Sequence, residues 1–92
     1  MTLDSAEALS LQALAHIIAE PTLCRRFLDL TGITPDDLRA SVDDAAFLGS
    51  VLDFLLSHEK DLLEFCSASN IDPKLPARAR AQLLGDAAAE WG

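Results

Sequence analysis

Four side chains in this chain belong to the set that ligates soft metals: His16, Cys24, His58 and Cys66. They fall as His-x7-Cys twice, and two cysteines with two histidines would satisfy tetrahedral zinc. Zinc sites of that composition draw two ligands from one turn, as CxxC or HxxxH, and neither spacing occurs here. A Cys–His nucleophile needs an exposed, activated thiolate and a third orienting group. Neither cysteine follows a glycine-rich turn or opens a helix. Both lie on apolar stripes, where a free cysteine acts as a small hydrophobe. Two cysteines in such a chain also make no disulfide framework.

Asp36/Asp37 and Asp43/Asp44 are paired acids of the kind used for metal or acid–base work. Both pairs stand where helices begin, so capping and compensation of the helix dipole explain them more simply. There is no phosphate-binding loop and no dinucleotide fingerprint. Accordingly no catalytic, cofactor-binding or metal-binding residue is assigned, and the chain reads as a non-enzyme without a cofactor.

The acids still matter as a surface. The net charge is −8, and residues 36–72 hold nine acids against Arg39 and Lys60. That field repels nucleic acid and anionic membranes and suits a basic protein partner. Asp36, Asp37, Asp43 and Asp44 are the candidate partner surface. The partner is unidentified, and the chain itself is expected to be a monomer or homodimer. The rival reading is helix–turn–helix DNA binding, through Phe27–Val42 or through Phe65–Leu84. The first would lead with Asp36 and Asp37, the wrong sign for phosphate. The second offers only Lys74, Arg78 and Arg80.

Helices must position these residues. Leu and Ala supply 32 of 92 residues and Tyr is absent, a composition that favours helix over strand. Ser5 is a plausible cap for a long helix ending near Ala19, with Leu9, Leu11, Ala13, Leu14, Ile17 and Ile18 wrapping most of the cylinder and Gln12 and His16 on its polar side. Pro21 opens a second, with Leu23, Phe27 and Leu30 as its inner stripe, Arg25, Arg26 and Asp29 outward, and Gly32 as terminator. Thr34-Pro35-Asp36-Asp37 starts a short third helix carrying Leu38 and Val42 inward. Asp43 or Asp44 caps a fourth, built on Phe47, Leu48, Val51, Leu52, Phe54, Leu55 and Leu56. Ser57 breaks or caps the chain before a fifth with Leu62, Leu63, Phe65 and Cys66, closed by Asn70. The sixth begins nearer Pro76 than Pro73 and stops at Gly85.

The expectation is an all-α, compact bundle of five to six helices in a single domain, 1–85. Residues 86–92 read as a frayed tail with Trp91 its one anchor. A shift of 38 also places Phe27 on Phe65, Gly32 on Asn70, Ile33 on Ile71 and Pro35 on Pro73. Two pseudo-repeated three-helix units would explain that echo. No apolar run reaches the roughly 20 residues a bilayer span needs. The first residues lack the pattern of a secretion signal, so the cytoplasm is the expected compartment.

Ala6-Glu7-Ala8-Leu9 with Gln12-Ala13-Leu14, Arg26-Phe27-Leu28 with Leu30-Thr31-Gly32, Pro35-Asp36-Asp37-Leu38-Arg39, and Phe47-Leu48 leading to Val51-Leu52-Asp53-Phe54-Leu55-Leu56 occur in that order. Together they resemble a family of short bacterial proteins known as domain of unknown function 3572, over about residues 4–85. The resemblance implies a small stand-alone cytoplasmic protein, and it brings no catalytic residues with it.

Overall fold

The computed structural model describes residues 1–84. Its first helix starts earlier than the sequence suggests. Thr2, not Ser5, is the N-cap of α1 (Leu3–Ala19), and its hydroxyl accepts a hydrogen bond from the Ser5 N–H at 3.1 Å. Capping at Thr2 brings Asp4 into the first turn, against the positive end of the dipole. Glu20 ends α1 and caps α2 (Pro21–Thr31), its carboxylate accepting from the Thr22 N–H. Gly32 closes α2 at φ 69°, the left-handed region that glycine enters freely.

A reciprocal capping box opens α3 (Pro35–Ser41): the Asp37 N–H donates to the Thr34 hydroxyl and the Thr34 N–H to the Asp37 carboxylate. Asp44 caps α4 (Ala45–Leu56) through the Ala46 N–H. Ser57 is the C-cap of α4, its N–H and its hydroxyl both donating to the Asp53 carbonyl, so it breaks the chain before α5 without capping that helix. His58 takes the N-cap position of α5 (Glu59–Ser69) with no side-chain bond, and Asn70 ends that helix at φ 55°. The last described helix, α6 (Leu75–Leu83), has Pro76 in its first turn, as the missing N–H requires.

These six helices form an all-α bundle. At its centre α4 buries Leu48, Val51, Leu52 and Leu55 completely. Helix α6 lies against both α1 and α4, α2 packs on α1, and α5 packs on α4 and α1. The close approach of α6 uses Gly49, where a Cβ would come within 2.6 Å of the Leu84 side chain. Phe27 meets Phe54 edge-on at 5.3 Å between ring centroids and Phe47 at 6.1 Å. Two ion pairs tie neighbouring helices, Arg26–Asp61 between α2 and α5 and Arg80–Asp53 between α6 and α4.

Several expected faces turn out differently. Leu30 is 67% exposed although it shares a stripe with buried Leu23 and Phe27. Periodicity locates a face; it does not say whether a neighbour reaches the last turn. Leu11, Ile18 and Leu63 are also exposed, each over somewhat less than half of its surface. Conversely Arg26, expected outward, is half-buried with its guanidinium 5.2 Å from the centre of the Phe54 ring. The flat, weakly hydrated guanidinium tolerates that position because Asp61 neutralises it.

The 38-residue echo holds in outline and fails in packing. Helices α2 and α5 occupy corresponding spans at that offset, and both end in a left-handed residue. The third helices differ: α6 buries Pro76, Ala79 and Leu83, whereas α3 buries no residue fully. Gly85, Trp91 and the tail 86–92 lie outside the described residues.

Candidate functional site

Helix α3 separates two concavities, and its opposite faces line them. Asp37, Ala40 and Ser41 face a groove of about 630 Å³ completed by the end of α2 and the start of α4. Pro35, Leu38 and Arg39 face a smaller cleft of about 260 Å³ against Ile18, Cys24 and Leu28. The residues of α3 at i, i+3 and i+4 make each wall, as helical geometry dictates.

The groove has an apolar floor in Ile33 and Phe47 and a polar wall in Thr31, Asp37, Ser41 and Ser50. All three hydroxyls spend their protons inside the fold. Thr31 donates to the Phe27 carbonyl at 2.8 Å, Ser41 to that of Asp37 at 2.8 Å and Ser50 to that of Phe47 at 2.6 Å. What they present outward is lone pairs, beside the Asp37 carboxylate. Such a wall accepts hydrogen bonds and offers few, which suits the donor-only head of lysine or arginine.

Asp36, Asp37, Asp43 and Asp44 are all exposed, and of the four Asp37 alone lines this groove. Asp37 and Asp44 are also caps, so two of the four carboxylates serve the fold. The pairs lie at opposite ends of α3, a seven-residue helix about 10 Å long. Sequence reasoning found these aspartates and missed the hydroxyls. Their one signal was position, since Ser and Thr inside a helix can bond the carbonyl one turn back.

The four soft ligands are not brought together: among the described residues no three His, Cys, Asp or Glu side chains gather where a metal ion would be held. His16 packs its ring 5.5 Å from that of Phe65, and exposed His58 lies 6.4 Å from Phe54. Cys24 is half-buried in the small cleft. Cys66 is buried, and desolvation, reinforced by the nearby Asp72 carboxylate, pushes its thiol above the usual range. A thiol so held is a poor nucleophile. In the α2–Gly32–α3 corner, the helix that would enter a DNA groove exposes Asp36 and Asp37 in its first turn. In the α5–Asn70–α6 corner, Arg80 is already paired with Asp53.

A family model described as a protein of unknown function, DUF3572, matches residues 3–86. The chain belongs to the DUF3572 family. No curated protein and no solved structure matches it. The DUF3572 match takes in all six helices and therefore both concavities. Among the described residues no helix is long and apolar enough to cross a membrane.

Proposed function

We propose that this DUF3572 protein is a non-catalytic, cytoplasmic docking module whose α3–α4 groove receives a basic segment of another protein. The observation that carries the reading is the acceptor-only wall of Thr31, Ser41, Ser50 and Asp37 over the Ile33–Phe47 floor. An apolar side chain of the partner fills the floor, and a neighbouring lysine or arginine meets the wall. The exposed aspartates act at longer range, within a Debye length of about 8 Å, and speed encounter more than they tighten the complex.

The test is affinity capture from native lysate with wild type beside an Asp36→Asn, Asp37→Asn, Asp43→Asn, Asp44→Asn variant. Asparagine still caps helices, so the variant removes charge with little change to the fold. A protein held by wild type and lost by the variant supports the reading once its basic segment, made as a peptide, binds wild type with salt-sensitive affinity. Nothing captured, or equal capture by both, overturns it. Helix–turn–helix binding to DNA has no comparable support, and no duplex shift is expected even at low salt.

A further inference from the structure

The outward side of α1 is apolar where a solvent-facing helix is ordinarily polar. Exposed Ala8, Leu11, Ala15 and Ile18 follow one another at intervals of three, four and three residues. Leu11 and Ile18 keep 43% and 45% of their surface open. That spacing is the seam of a coiled coil, with alanines that let a second helix approach closely. At its C-terminal end the seam runs into the small cleft through Ile18, a residue common to both, and the one charged residue of that cleft is Arg39. At its N-terminal end the same heptad pattern arrives at Asp4, beside Leu3, which is 48% exposed.

We propose that α1 pairs antiparallel with α1 of a second copy of this chain, about a two-fold axis at Leu11. The seam then pairs about Leu11: Leu11 meets Leu11 and Asp4 meets Ile18, numbers that sum to 22, while Ala8 meets Ala15 at a sum of 23 because the seam alternates steps of three and four. Each Asp4 arrives at the partner's Arg39 end of the seam, and each Leu3 arrives at the mouth of the other copy's cleft. The surface is thus complementary to itself in charge and in shape, as an isologous interface must be. Parallel pairing would set Asp4 against Asp4 and bring the two Arg39 ends together, which like-charge repulsion disfavours. The cleft volume of about 260 Å³ lies below the roughly 300–1,000 Å³ of small-molecule sites and suits one aliphatic side chain. A seam of one 17-residue helix is about 25 Å long. It buries less than the roughly 800 Å² per partner of a standard interface, so the dimer is concentration-dependent. The acidic groove on the far face of α3 stays outside this interface.

Sedimentation equilibrium of the full chain from about 1 µM to about 1 mM tests the proposal over the range where so small an interface dissociates. Wild type is expected to pass from monomer to dimer. Leu11→Glu sets two carboxylates together on the axis and is expected to remain monomeric with unchanged circular dichroism. Asp4→Arg or Arg39→Glu alone is expected to weaken the dimer about tenfold, and the two together to restore it. In a Cys24→Ser background, Ala8→Cys is expected to cross-link to Ala15→Cys and not to itself. A monomer at about 1 mM, a Leu11→Glu variant that still dimerises, a charge swap that fails to rescue, or self-linked Ala8→Cys overturns it.

Discussion

At the level of single residues, Gly32 and Cys66 have roles that substitutions can read. Gly32 holds φ 69° with nothing within 4 Å of where a Cβ would sit. An alanine there meets no clash, so Gly32→Ala is expected to cost only the backbone strain, about 1 kcal/mol, measured by urea unfolding. The Cys66 thiol is raised in the folded chain by burial and by Asp72. As pH climbs past the ordinary thiol value of about 8.5, the unfolded chain releases this proton while the folded chain keeps it. Stability is therefore unaffected below that pH and falls as pH rises toward the folded value. Cys66→Ala should flatten the alkaline part of the stability–pH curve relative to wild type. Half-buried Cys24 should alkylate well before Cys66 in the native state.

Among the elements, α3 and α4 sit at opposite extremes. Four leucine or valine side chains of α4 are completely buried, so Leu52→Ala is expected to cost about 2–5 kcal/mol, depending on how far the cavity collapses. Helix α3 has no fully buried residue and is held by its capping box and by partly buried Leu38 and Val42. Thr34→Ala should cost about 1 kcal/mol, and hydrogen exchange should show that loss concentrated in α3 with α4 unaffected. A helix so lightly held between two concavities is suited to adjusting its walls to a ligand.

For the molecule as a whole, the net charge of −8 dominates. Two of the basic groups are committed to the Arg26–Asp61 and Arg80–Asp53 pairs, leaving the acidic excess largely unscreened by the fold. Self-repulsion of this kind opposes compaction. Thermal stability is expected to rise as salt increases from about 10 mM to about 200 mM, while the Debye length falls from about 30 Å to below 10 Å. A melting temperature that falls over that range would mean the two ion pairs outweigh the repulsion.

Local chemistry was readable in the linear chain because it depends on neighbours within a turn or two. The proline at the start of α2, Gly32 and Asn70 as left-handed stops, an aspartate at 43 or 44 as the cap of α4, and Thr34 opening α3 all depend on contacts across four residues or fewer. The all-α class and the burial of α4 followed from composition and from an apolar set too wide for one contact face. Long-range contacts set the rest. Arg26 lies inward because Asp61, 35 residues away, neutralises it against Phe54. Leu30, on the same stripe as Phe27, is open because no helix covers its turn. The groove exists because α3 leaves a gap beside α4, and its hydroxyls became acceptors only once helical geometry aimed their protons at carbonyls one turn back. Periodicity states which side of a helix is apolar; which side finds a neighbour is decided by how six helices share one core.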